Sequence, residues 1–111
     1  MTRIHSKLSG VTFNGRQDNL QLVEPGFNLF WVHEKDNEYD ENAILVFADP
    51  KKTIELGYLR KELAKEFVER TKQGIDQQII AQQVTGGDSN KSYGLNIVIK
   101  IDDGNEEKVS H

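Results

Sequence analysis

The stretch His33-Glu34-Lys35-Asp36-Asn37-Glu38-Tyr39-Asp40-Glu41-Asn42-Ala43-Ile44-Leu45-Val46-Phe47 decides how the rest of the chain is read. A dense polar segment here joins two apolar runs. Before it, Phe27 to Val32 is rich in aromatic and branched residues that fit a pleated surface, and after it Ala43 to Ala48 has the same character. The segment between them reads as the loop of a hairpin-like pair. Asp36, Asn37, Asp40 and Asn42 are residues whose side chains bond neighbouring amides, which accounts for most of the polarity without any function. Tyr39 is not accounted for in this way. Its ring either folds back over the core or stands at the rim, and composition favours the lid, because buried tyrosines commonly keep a wet hydroxyl. Asp36, Glu38 and Asp40 alternate as in the first half of a calcium loop, but Glu41 replaces the turn glycine and Phe47 the closing carboxylate, so metal binding is not expected.

Working outward, 111 residues suffice for one hydrophobic core and not for two, so the expectation is a single domain over residues 1–111. Its core spans about residues 7–101, with residues 102–111 a polar tail expected to fray. Hydrophobic residues make up 36% and charged residues 29%, yet the apolar ones fall in periodic runs, which argues against disorder. Eighteen acidic against 14 basic residues give a formal charge of -4. Nonspecific duplex binding is therefore not advertised, and any nucleic-acid contact must be local. The absence of cysteine removes disulfides, thiol nucleophiles and cysteine-ligated zinc, and suits a reducing compartment. Met1 to His5 lacks the apolar centre of a signal peptide and no run reaches membrane-spanning length, so a cytoplasmic protein without membrane contact is expected.

Ile4 to Phe13 reads as a strand bent at Gly10, and Arg16 to Val23 as a turn or two of helix stopped by Glu24-Pro25-Gly26. In the Phe27 to Val32 strand both faces are apolar, which predicts burial on both sides. Thr53 to Leu59 is a further short strand. From Arg60 the period changes: Leu63, Ala64, Phe67 and Val68 form a helical stripe that ends at Gly74, a C-cap glycine, giving a helix over about Arg60 to Lys72. Strands resume at Gln77 to Val84 and, with clean alternation, at Leu95 to Ile101. Five or six short strands with one principal helix inserted before the last pair predict a mainly β fold, a bent antiparallel sheet closed into a small barrel.

Catalysis finds little support. His5, His33 and His111 lie on different segments, no serine has a base at a recognisable spacing, and Gly86-Gly87 does not match a phosphate loop. The helix start is more informative. Arg60 and Lys61 place cations where the helix dipole is already positive, at a cost of about 0.3–1 kcal/mol each. Lys61, Lys65 and Lys72 share one stripe beside the apolar face, so a phosphate bound there would meet amides and cations together; the plain alternative is a solvated face.

Three blocks at this spacing, Ser9-Gly10-Val11, Asp36 through Ile44 and Leu56 through Ala64, resemble the HIRAN domain. The resemblance runs from about Lys7 to Ile101, with Val84-Thr85-Gly86-Gly87 and Gly94-Leu95-Asn96-Ile97 matching the closing segment. It implies an OB-like barrel of the type found alone in bacteria and phages, without cofactor or catalytic residues, binding the 3′ end of single-stranded DNA, with a DNA-processing protein as a further candidate partner. By that resemblance Tyr39 stacks on a terminal base, Asp40 accepts from the 3′-hydroxyl, Tyr58 approaches the nucleotide, Lys61 meets phosphate and Tyr93 lies near the penultimate base. The stripe adds Lys65. Eukaryotic members carry an Arg-Tyr pair where this chain reads Thr12-Phe13-Asn14, and Phe13 and Arg16 stand as the substitutes. Two rival classes are a protein-interaction module using the same aromatic-lined groove and a hydrolase too diverged for its site to show.

Overall fold

A computed structural model describes residues 1–88 and 91–103. Six strands and two helices follow in the order β1 (Thr2–Lys7), α1 (Arg16–Leu20), β2 (Asn28–His33), β3 (Ile44–Phe47), β4 (Glu55–Tyr58), α2 (Lys61–Lys72), β5 (Asp76–Thr85) and β6 (Gly94–Asp102). Every pairing is antiparallel, and the sheet runs β1-β6-β5-β2-β3-β4. It is a curled, OB-like half-barrel, as expected.

Curling depends on β2, whose first residues pair with β5 (Asn28↔Ile80, Leu29↔Ile79) while the rest pair with β3 (Phe30↔Phe47 to His33↔Ile44). The two outermost strands then meet. Just beyond β1, Ser9 donates its N–H to the Tyr58 carbonyl at 2.8 Å, and Tyr58 donates back to the Ser9 carbonyl at 2.9 Å. Gly57 makes this approach possible, since a Cβ there would lie 2.6 Å from the Ser9 oxygen.

The helix α2 forms where the stripe places it, burying Ala64, Phe67 and Val68. Its end is a Schellman motif: Gly74, at φ 78°, donates to Thr71, and Ile75 donates to the Arg70 carbonyl. Phe67 meets Trp31 of β2 edge to face at 5.0 Å, and Gln77 of β5 donates to the Phe67 carbonyl at 3.0 Å while accepting from Arg70 Nε at 2.7 Å. Aromatic packing and a buried amide thus fix α2 against both parts of the sheet.

Three expectations require correction. The first strand is β1, from Thr2 to Lys7, and Val11 to Phe13 form turns instead, because Gly10 (φ 64°) and Asn14 (φ 57°) leave the extended region. The sheet accordingly begins before the Lys7 boundary, and the tail expected over 102–111 lies outside the described residues beyond Asp103. Nor is β2 buried on both sides. On the face opposite Leu29 and Trp31, where α2 packs through Phe67, Val32 is 37% exposed and Phe30 only half-buried, and Phe27 lies just before the strand and is 41% exposed, whereas all four residues of β3 are buried.

Gly57→Ala should lower stability by about 1–3 kcal/mol, the usual penalty for forcing extra volume into a packed site. The read-out is the urea midpoint; an unchanged midpoint would show that the Ser9–Tyr58 closure tolerates separation.

Candidate functional site

The closure of the sheet also shapes a groove of about 600 Å³ between the loop after β1, the β2–β3 loop and the start of α2. Its lining includes Ser9, Gly10, Phe13, Arg16, Asn37, Tyr39, Asp40, Tyr58 and Lys61. Six of the eight residues expected to touch DNA therefore share one concavity.

The β2–β3 loop is held from within by one side chain. Asn37 Oδ1 accepts the N–H groups of Tyr39 (2.9 Å) and Asp40 (3.0 Å), and Asn37 Nδ2 donates to Glu34 Oε1 at 3.1 Å. Asp40 Oδ1 in turn accepts from the Asn42 N–H at 2.9 Å. These Asx-type bonds set the backbone so that the Tyr39 ring projects outward, 85% exposed. The core-lid expectation for Tyr39 is thereby overturned: the ring stands at the groove rim, because the loop's own polar side chains fix it there. Across the groove Phe13 is 64% exposed.

Tyr58 supplies the floor. Its hydroxyl donates to the same Glu34 oxygen at 2.7 Å, and the Arg16 guanidinium lies over its ring, 5.2 Å from the centroid. Arg16 itself is 4% exposed and committed to the protein: Nε and Nη2 donate to Glu55 Oε1 at 3.1 and 2.9 Å, and Nη1 to the Gly10 carbonyl at 2.6 Å. Lys61 opens α2 after an extended Arg60, and no side chain caps that end. The helix's first amides and the Lys61 ammonium thus stand at one edge of the groove.

Tyr93 and Lys65 fall elsewhere. Tyr93 is half-buried, its backbone clamped by Gln17 (N–H to Oε1 2.7 Å, Nε2 to carbonyl 2.9 Å) and its ring so close to Gly87 that no Cβ would fit there. Lys65 borders a separate depression with His33, Lys35, Glu41, Glu69 and Lys72.

Sequence reasoning had no access to Glu34, which lies 24 residues from Tyr58 and joins it to Asn37, or to Glu55, 39 residues from Arg16. No local spacing marks either; the only usable sign was Asn37, placed two and three residues before the amides it binds.

A model of the HIRAN domain matches residues 4–102. The chain belongs to the HIRAN domain family. Among solved structures it is similar to the HIRAN domain of human HLTF, at 19% identity and a TM-score of 0.61, covering 97% of this chain and 83% of that one. It is also similar to a crystal structure of a protein from Lactobacillus plantarum, at 16% identity and a TM-score of 0.62, covering 89% of this chain and 99% of that one. At these identities the likeness establishes the OB-like fold. No curated protein matches the chain. At the level of the family this HIRAN domain is a DNA-binding module, and such domains are generally noncatalytic. Among the described residues no helix is long and apolar enough to cross a membrane.

The Tyr58 phenol is pushed above its ordinary pKa, first by burial and then by the hydrogen bond to Glu34 and its charge, with Arg16 opposing. Because the fold favours the neutral phenol, this stabilisation is complete below about pH 10 and is lost as pH rises through the elevated value. An alkaline absorbance titration should show one tyrosine ionising late in the wild type. In Glu34→Gln that step should move back toward the ordinary value; identical curves for the two proteins would refute the assignment.

Proposed function

We propose that this HIRAN domain is a noncatalytic module that recognises the 3′ end of single-stranded DNA. The observation that carries the reading is the convergence of an exposed aromatic ring, a carboxylate and a helix-start lysine on one groove: Tyr39, Asp40 and Lys61. In the proposed complex Tyr39 stacks on the terminal base, which is sequence-tolerant because every base has a π face. Asp40 already accepts the Asn42 amide through Oδ1, and its carboxylate has acceptor capacity for a terminal hydroxyl while repelling a phosphate. The Tyr58 ring lies against the nucleotide from the floor, Phe13 closes the opposite wall, and Lys61 with the free amides of α2 takes a phosphate. Arg16 serves from beneath, through Tyr58 and the first loop. Tyr93 reaches a ligand only if that ligand extends beyond the groove. We place the protein in the cytoplasm, acting on DNA alone or beside a DNA-processing protein; the cysteine-free composition supports a reducing compartment.

Equilibrium binding of short oligonucleotides ending in 3′-hydroxyl, 3′-phosphate or a blocked group tests the reading. The hydroxyl end should bind best, and affinity should fall as salt rises. Tyr39→Ala should weaken all three about tenfold, within the roughly 1–3 kcal/mol that a stacked base contributes. Binding that ignores both salt and end chemistry would instead favour a protein ligand in the same groove.

Asp40→Asn separates recognition from turn-capping, because asparagine keeps an acceptor for the Asn42 amide. The variant should fold normally and lose part of the hydroxyl preference as the repulsion of the 3′-phosphate is relieved. Equal discrimination by wild type and variant, with matching circular dichroism, would take Asp40 out of the site.

A further inference from the structure

Away from the groove, one margin of the sheet is left unpaired. β1 ends the strand order, and the segment after it meets β4 only at the Ser9–Tyr58 bridge. The direction of its backbone groups follows from the alternation of an antiparallel strand. Leu8 donates its N–H to the Leu95 carbonyl, whereas Ser9 exchanges bonds with Tyr58 on the opposite side and the Lys7 carbonyl accepts from Arg60 Nε at 3.3 Å. Even-numbered residues of β1 therefore face β6. The N–H and C=O groups of Arg3 and His5 face outward, and among the described residues nothing bonds to them.

The side chains of Arg3, His5 and Lys7 form an exposed row on one face of β1. Two of them lean inward over the sheet and leave the margin clear: His5 Nδ1 lies 3.4 Å from Gln82 Oε1, and a Cβ on Gly94 would lie 2.7 Å from Lys7 Cε. The row is cationic and unopposed. Arg3 stands in register with Lys100, and neither Arg3 nor Lys7 has an ion-pair partner among the described residues. No carboxylate occurs in Thr2–Lys7 or at the partner positions 96–101, and Asp102 and Asp103 lie beyond Thr2, past the end of the row.

An unpaired margin is a template for another strand, and its charges decide which strand it admits. A second copy of the chain pairing antiparallel through β1 would set Arg3, His5 and Lys7 against Lys7, His5 and Arg3, and like charges directly opposite one another resist pairing. A nucleic-acid backbone would satisfy the cations and the N–H groups, but its phosphates only accept, so they would be held against the outward carbonyls. An acidic polypeptide matches cations, donors and acceptors together. We propose that β1 is a docking edge for an extended acidic segment of a partner protein, which joins the sheet antiparallel and sets carboxylates opposite Arg3 and His5 and within reach of Lys7. The site ends where Arg60 holds the Lys7 carbonyl. None of Arg3, His5 and Lys7 lines the Tyr39 groove, so this is a second site.

The probe is a short capped peptide alternating glutamate and valine, titrated calorimetrically into the intact chain beside a peptide with lysine for glutamate. The glutamate peptide should bind and the lysine peptide should not. In the antiparallel pairing the glutamate N–H groups point at β1, so methylating those nitrogens should abolish binding, whereas methylating the valine nitrogens should leave it within about twofold. The Arg3 and His5 amides should gain protection from hydrogen exchange in the complex. Arg3→Glu combined with Lys7→Glu should weaken the glutamate peptide about tenfold and admit the lysine peptide, because opposite-charge pairs across the strands become like-charge ones. Equal affinity of the two methylated peptides would reduce the contact to ionic attraction and overturn the proposal, as would failure of the glutamate peptide to bind. A 3′-phosphorylated oligonucleotide that displaces the peptide and itself protects the Arg3 and His5 amides would overturn it in favour of a nucleic-acid contact.

Discussion

Two hydrogen bonds between Ser9 and Tyr58 close this fold, and much of the site depends on them. They bring the segment after β1, at one margin of the sheet, against β4 at the other, and Gly57 permits the approach by having no side chain. The first loop is thereby laid over the Tyr58 ring, so that Arg16 stacks on it and reaches both the Gly10 carbonyl and Glu55. Barrel closure and groove assembly are the same event. A residue that holds the sheet shut is also the floor of the concavity.

Charge in this HIRAN domain is arranged with economy. An acidic protein can still present a local site for a phosphate if the nearby cations are few and unspent, and here Lys61 is left free while Arg16 is consumed internally. Burying a guanidinium costs several kcal/mol unless it is paired and hydrogen-bonded, and Glu55 with Gly10 supplies both. Arg16 therefore acts on the groove through geometry, by fixing a ring and a loop.

Much of this was legible in the sequence where the signal is periodic. The α2 stripe and Gly74, and the alternation of β6, report local geometry, and each element formed within a residue or two of its expected place. β1 was less legible because its edge position leaves alternate residues exposed and Ile4 its sole partly buried aliphatic, so register with β6 rather than its own pattern defines it. The two-sided burial anticipated for β2 belongs to β3, although both are interior strands of the sheet; hydropathy could not tell which apolar strand would be left partly bare. At the site, residue types were readable and partnerships were not. Arg16 looks like any exposed cation until Glu55 arrives from β4, and the outward ring of Tyr39 follows from bonds made by Asn37 that composition does not weigh.

The position of Tyr39 has a kinetic meaning. Its ring stands in water while the backbone beneath it is already fixed by Asn37, so a planar ligand that stacks there need not extract the ring from a core or wait for the loop to order. For the end recognition proposed above, no rearrangement of this ring or its loop is then needed before docking. Encounter and docking set the forward rate, on the order of 10⁵–10⁷ M⁻¹s⁻¹ for an ungated partner, and residence time is left to the contacts made after arrival. On the proposed function, such a module would sample strand ends quickly and hold them only as long as the ring, the carboxylate and the lysine together allow.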